Sequence, residues 1–178
     1  VSAFYRNDGQ QRRQAIQAKR DGLKLAVEPV VARKTSHKLA QQRLLKVSIA
    51  FHEVIPEALA AWYDYVIVMT DDDGVTLDAD RVNAPIAIVD IGGRTTDYVV
   101  VQDQGIVHGS SGSLNRRKLG LGVELDRVLF VGGGSAALAA DIANWFPNQS
   151  IADHAAFANA RGMLKYLQFV CDAPVREG

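Results

Sequence analysis

The chain has 178 residues, 48% of them apolar and 22% charged, with 20 Lys and Arg against 20 Asp and Glu. That balance is ordinary for a soluble globular protein, and the length suits one domain or two small ones. No apolar run approaches the ~18 residues of a membrane span, and the start lacks a signal-peptide pattern. One cysteine, Cys171, excludes an internal disulfide, which fits a reducing cytoplasm.

The neutral total hides an asymmetry. Residues 1–50 hold eleven Lys/Arg and three Asp/Glu, and the remainder holds nine and seventeen. The basic residues spread over helix-like stretches with no interleaved aromatic residues to stack on bases. A solvated helix face is therefore expected, rather than direct nucleic-acid contact. The four histidines form no metal-type cluster with Cys171, so no structural zinc site is expected.

Taken in chain order, residues 1–9 read as the exit from a strand. Gln10 to Gly22 is predicted as a polar helix stopped by its glycine. Strands are predicted at Lys24 to Val27 and Leu44 to Phe51, while Pro29 to His37 fits no element. Pro56 opens a helix at its first turn, where a missing N–H costs nothing. Trp62 falls on the core side of that helix. Asp71-Asp72-Asp73-Gly74 reads as a turn, and Asp78 to Asn83 as its continuation. Three strands follow, Ile86 to Val89, Tyr98 to Val101 and Ile106 to His108, and their short connections require antiparallel neighbours. The run Val128 to Val131 then leads into a helix from about Ala136 to Trp145, broken at Pro147-Asn148. Asp153 is a suitable N-cap for a last helix, His154 to Val170.

The chemistry sits in two strand-to-turn junctions. The first, Val89-Asp90-Ile91-Gly92-Gly93-Arg94-Thr95-Thr96-Asp97, delivers a carboxylate, two glycines, hydroxyl groups and a second carboxylate. Such a turn can bring backbone N–H groups up to a phosphate while Asp90 holds a hydrated Mg²⁺. The second, Val131-Gly132-Gly133-Gly134-Ser135, again places glycines at a strand end. Either turn alone has a plain reading, a hairpin for the first and a strand-to-helix connection for the second. As an ordered pair they suggest a nucleotide clamped between them.

The Asp-x-Gly-Gly-x-Thr-x-Asp turn inside an antiparallel meander resembles the second phosphate loop of the actin, sugar-kinase and heat-shock-chaperone ATPase superfamily. The strand-Gly-Gly-Gly-Ser-helix resembles its adenosine motif. Within that superfamily the chain is most similar to the bacterial plasmid-segregation actins of the ParM/StbA type. Phe4-Tyr5-Arg6-Asn7, Ile55-Pro56-Glu57-Ala58-Leu59-Ala60-Ala61-Trp62-Tyr63 and Asn159-Ala160-Arg161-Gly162-Met163 carry this narrower likeness. The resemblance implies an α/β, actin-like (ribonuclease H-like) ATPase fold: a mixed sheet with a three-stranded antiparallel meander and flanking helices.

It also implies roles. Asp90 would bind Mg²⁺ through water, and Gly92, Gly93, Arg94, Thr95 and Thr96 would surround the β- and γ-phosphates. Asp97 would position the hydrolytic water or touch the ribose side. Glu57 would orient the attacking water, although a glutamate in a first helical turn also simply complements the helix dipole. Gly132, Gly133, Gly134 and Ser135 would lie against adenosine and the α-phosphate. The implied cofactors are ATP or GTP with Mg²⁺. The implied partners are further copies of the chain in a filament, and an adaptor protein bound to plasmid DNA, with no membrane.

Residues 1–51 are expected to form part of a first domain, and residues 52–178 a second domain with both glycine motifs. No first phosphate loop precedes Asp90, because Asn7-Asp8-Gly9-Gln10 lacks an apolar strand before it. A helical subdomain is expected to be missing between Asn115 and Arg116. Two other readings compete with a filament-forming ATPase: a chaperone- or sugar-kinase-like enzyme, and a non-catalytic interaction module.

Overall fold

A computed structural model describes residues 12–34, 49, 52–72, 74–112, 119–120 and 122–172. The chain divides into two compact units, Ala3–Ile55 and Pro56–Gly178. The first phosphate-loop candidate at residues 7–10, the junction at Asn115–Arg116, and all of Leu44 to Phe51 except Ile49 lie outside the described residues.

In the first unit, helix α1 spans Arg13–Lys34. It runs through Gly22 and through the strand expected at Lys24 to Val27, so both expectations are corrected. Leu23, Lys24, Leu25 and Ala26 are good helix formers, and a short apolar run does not by itself tell strand from helix. Gly22 is exposed, and a Cβ there would meet nothing within 4 Å. Gly22→Ala is accordingly expected to stabilise α1 by about 0.5–1 kcal/mol, read as a higher helical signal by circular dichroism. A left-handed cap glycine would give the opposite sign.

The second unit is built on five strands. Helix α2 (Glu57–Val66) leads into a hairpin of β1 (Ile67–Met69) and β2 (Val75–Leu77), then the short helix α3 (Ala79–Asn83). The meander follows as β3 (Ile86–Ile91), β4 (Thr96–Gln102) and β5 (Gly105–Gly112). Then come β6 (Arg127–Val131), α4 (Gly133–Ala137), α5 (Ala139–Ile142), β7 (Gln149–Ile151), a 3-10 turn at Ala155–Phe157, and α6 (Ala158–Asp172). The sheet order is β5-β4-β3-β6-β7, with β3–β4 and β4–β5 antiparallel and β6 and β7 parallel to β3.

The meander is the one expected from its short connections. Gln102 pairs with Gly105 across a two-residue turn whose Asp103 and Gln104 both have positive φ, 48° and 62°. That is the twist a tight hairpin needs. The β1–β2 hairpin was not foreseen, since three-residue strands carry almost no periodic signal. Asp78 to Asn83 is helix rather than continued loop: the Asp78 carboxylate accepts from the N–H groups of Asp80 and Arg81 at 3.1 Å each. The helix expected from Ala136 begins earlier, at Gly133, and is interrupted at Leu138. Asp153 does not cap α6; a 3-10 turn stands between, with His154 left-handed at φ 47°.

Both faces of the sheet are covered, as a sheet with parallel strands requires. On one face Ile86, Ile88, Val99, Val101, Leu129 and Val131 pack under α2 and Ala158 of α6. On the other, Val89, Tyr98, Val100, Val128 and Phe130 meet Ile142 and Phe146. Trp62 belongs to the first cluster, and Trp145 packs against the second, so both tryptophans serve packing.

α2 and α6 cross closely. Tyr63 stacks on Tyr166 at 4.4 Å, and Asp64 takes Arg161 at 2.6 Å and Lys165 at 3.0 Å. Asp64 is nearly buried, whereas Arg161 keeps a 35% exposed side chain. Asp64→Ala would leave two cations without their carboxylate. The expected cost is about 2–3 kcal/mol, just below the roughly 3–5 kcal/mol of a fully buried broken pair because water still reaches the arginine. The urea midpoint measures it, and a change under about 0.5 kcal/mol would show the pair to be a surface contact in effect.

Candidate functional site

Strand order decides where a site can form. From β3 the chain first builds outward to β4 and β5, then returns to the other side of β3 as β6. Two adjacent parallel strands whose connections leave in opposite directions open a crevice at their C-terminal ends. Those ends are Asp90-Ile91 of β3 and Val131-Gly132 of β6, the two junctions singled out in the sequence.

Asp90 is buried, with 6% of its surface exposed. It lies directly across the antiparallel ladder from Asp97, so both carboxylates occupy the face covered by α2 and α6. Between them Gly92 to Thr95 form an exposed turn, closed by the Gly92 N–H to the Thr95 carbonyl at 2.9 Å. Thr96 starts β4, half-buried, opposite Ile91. The exposed turn is free to meet a ligand while its two flanking carboxylates are anchored in the sheet.

The second turn packs against the first. Gly132 has φ 86°, and a Cβ there would lie 2.3 Å from Asp90 Oδ1 and 2.5 Å from the Ile91 carbonyl oxygen. A Cβ on Gly134 would lie 2.5 Å from Ile91 Cγ2. Only glycine permits this approach. Gly132→Ala is expected to cost at least about 3 kcal/mol, from left-handed strain and collision combined, visible as a lowered denaturant midpoint. A midpoint shift worth less than about 1 kcal/mol would mean that the turn is loosely seated. Gly133 is exposed. Ser135 is fully buried and its hydroxyl donates to the Val131 carbonyl, so its side chain fastens α4 to β6 and does not point to a ligand.

One participant was not foreseen as a site residue. Asn159, in the first turn of α6, donates its Nδ2 to Asp90 Oδ2 at 2.8 Å. The Asn-x-x-Gly pattern was the available signal: Gly162, one turn on, lets α6 lie against α2, and that contact brings Asn159 to Asp90. Burial pushes the Asp90 carboxyl above its ordinary range; the Asn159 amide opposes the shift and the facing Asp97 adds to it. Asp97 Oδ1 and Asn159 Oδ1 are buried without a hydrogen-bond partner. Glu57 is exposed at the first residue of α2; it belongs to the helix that packs on α6, but no contact joins it to Asp90 among the described hydrogen bonds.

These observations fit a hydrated magnesium ion. The unpartnered atoms are all oxygen acceptors, and the raised carboxyl would be stabilised by a nearby cation. Among the described residues no group of three or more His, Cys, Asp or Glu could hold a metal alone. Mg²⁺ is commonly held by one or two carboxylates, water and substrate phosphates, which suits the Asp90–Asp97 pair beside an exposed glycine turn.

No family model and no curated protein matches the sequence. Solved structures do. The apo crystal structure of psk41 ParM superposes with a TM-score of 0.51 at 14% identity, covering 67% of this chain and 50% of that one. The Alp12 filament structure matches at 0.45 and 11%, covering 80% and 65%. A Bacteroides thetaiotaomicron protein with an actin-like ATPase fold and unknown function matches at 0.35 and 10%, covering 46% and 37%. The chain thus spans half the length of the ParM protein it matches. Among the described residues no helix is long and apolar enough to cross a membrane. The mixed sheet, its antiparallel meander and the flanking helices have the actin-like ATPase fold, shared with the ParM structure.

Proposed function

We propose that this chain is the nucleotide-binding part of an actin-like ATPase that assembles into nucleotide-dependent filaments for plasmid segregation. The observation that carries the reading is the pairing of Asp90 and Asp97 beside the Gly92–Thr95 turn, pressed against Gly132 at the switch point of the sheet. ATP or GTP would lie across the two turns. Backbone N–H groups of Gly93 and Arg94, with the Thr95 and Thr96 hydroxyls, would donate to the β- and γ-phosphates, while Gly92, its N–H held by the Thr95 carbonyl, would shape the turn around them. The backbone of Gly132, Gly133 and Gly134 would lie along the nucleoside and α-phosphate.

Asp90, oriented by Asn159, would hold the water shell of Mg²⁺, with Asp97 beside it. When bound, the ion neutralises charge developing on the phosphates during transfer to water. Glu57 would accept a hydrogen bond from the attacking water, a role its exposure at the start of α2 leaves open to it. The proposed partners are further copies of the chain in a filament and an adaptor protein on plasmid DNA, both by likeness to the plasmid-segregation actins.

The test is a pair of measurements on one preparation. Fluorescent ATP and GTP analogues are titrated with and without Mg²⁺, and light scattering then follows assembly after nucleotide addition. Mg²⁺-dependent binding with nucleotide-dependent scattering is expected. Binding without scattering would remove the filament part, and no binding would remove the reading altogether.

A further inference from the structure

A second cavity runs along β6 and β7. Its volume is about 490 Å³, and it is lined by the cations Arg81, Arg127, Arg161 and Lys165 against the carboxylates of Asp64 and Asp153. Arg127 and Ser150 belong to β6 and β7, and Arg127 pairs with Ile86 at the opposite end of β3 from Asp90. The Arg81–Arg127 end of the cavity is therefore a strand's length from the glycine turns, while its His154 end adjoins Ala155, whose carbonyl accepts from the Gly132 N–H.

The cations in it are not equally satisfied. Asp64 neutralises Arg161 and Lys165, and Arg81 pairs with Asp78 at 3.0 Å. Arg127 makes no ion pair among the described residues. Its Nη1 reaches Ser150 Oγ at 3.3 Å, and its Nε is buried without a hydrogen-bond partner. Arg81 and Arg127 also share one aromatic ring, with guanidinium carbons 4.8 and 5.8 Å from the Tyr65 centroid. Arg81 already holds the Asp78 carboxylate, so Arg127 is the member of this pair with no counter-ion among the described residues.

We propose that this cavity binds a phosphorylated small molecule at its Arg81–Arg127 end, a strand's length from the glycine turns. The lining is rich in donors: three guanidinium groups, an ammonium group and the Ser150 hydroxyl, of which Arg161 and Lys165 are already held by Asp64. A planar arginine fork matches phosphate geometry, and three phosphate oxygens can use donors arriving from several directions. The volume falls in the range of small-ligand sites. The proposal stands whether or not the crevice at Asp90 binds nucleotide.

Inorganic pyrophosphate is the probe, titrated into the chain in EDTA and followed by calorimetry and by amide chemical shifts. Saturable binding is expected, with shifts centred on Tyr65, Arg81, Arg127 and Ser150. Arg127→Ala should weaken it about tenfold or more, losing a charge-assisted pair. Arg81 is exposed, so Arg81→Ala keeps the fold and should weaken binding several-fold. Arg94→Ala, in the glycine turn, should leave it unchanged. Equal affinity in parent and both cavity variants, or shifts centred on Gly92 to Thr95, would overturn the proposal. So would equally tight binding of a short blocked acidic peptide, which would make the cavity a docking site for protein carboxylates.

Discussion

Gly162→Ala is expected to cost the second unit more than about 3 kcal/mol, a loss of roughly 6–12 °C in Tm for a domain of this size. A Cβ at position 162 would stand 1.7 Å from the Ala60 carbonyl oxygen, 2.6 Å from its carbon and 2.9 Å from the Asp64 nitrogen. All three atoms are backbone, so no side chain can turn aside to make room. α6 would have to move away from α2, and two things would move with it. Arg161 and Lys165 would loosen from Asp64, and Asn159 would withdraw from Asp90. The variant should therefore lose Mg²⁺-dependent nucleotide binding in excess of what its lower stability alone explains. Gly22→Ala, where the new Cβ meets nothing, is the matched control. A Gly162→Ala protein within about 1 kcal/mol of the parent would show that the helices do not cross in backbone contact.

Asp90→Asn is expected to act in opposite directions on stability and on binding. Burial raises the Asp90 carboxyl above its ordinary value of 3.8. The folded state therefore binds more protons than the unfolded state between that value and the folded one. Stability from this group is full below the unfolded value, falls as pH rises through the window, and stays lower above it. Asparagine removes that penalty. It can still accept from Asn159, and it supplies N–H donors where Asp97 Oδ1 and Asn159 Oδ1 are unpartnered acceptors. The ligand-free variant should be more stable at pH 7, read as a higher Tm, and its stability should depend less on pH as pH rises above the ordinary carboxylate range.

Nucleotide binding in Mg²⁺ should weaken at least about 100-fold, near 2.8 kcal/mol, once the anionic ligand for the hydrated ion is gone. Loss of stability at pH 7 would mean that the buried carboxylate is a net support of the fold. Unchanged binding would remove Asp90 from the magnesium site.

How much of this was legible in advance depends on the range over which each feature is encoded. The meander was readable because strands β3 to β5 are apolar runs joined by turns too short for any arrangement but antiparallel. The two glycine junctions were readable because each concentrates its glycines and polar residues within a few positions at the end of an apolar strand. Local capping was harder: Asp78 reads equally well as loop and as N-cap, and only the 3.1 Å bonds to Asp80 and Arg81 decide between them. Gly22 reads as a stop by local rule, yet the helix formers after it carry α1 onward. Asp153 was credited with a cap that a left-handed His154 and a 3-10 turn displaced.

The sequence by itself determined the class of fold, the two glycine junctions and the carboxylates flanking the first of them, since each is written in contiguous runs. Tertiary structure alone decided which distant residues complete them. Asn159 meets Asp90 across 69 positions of chain, and Arg161 meets Asp64 across 97. The close approach of Gly132 to Asp90 Oδ1 and the gathering of Arg81 and Arg127 on Tyr65 are of the same kind. The physical reason is that local propensity is a property of neighbours in the chain. Burial, pairing and the cost of an unmatched charge arise only when packing brings remote segments out of water together.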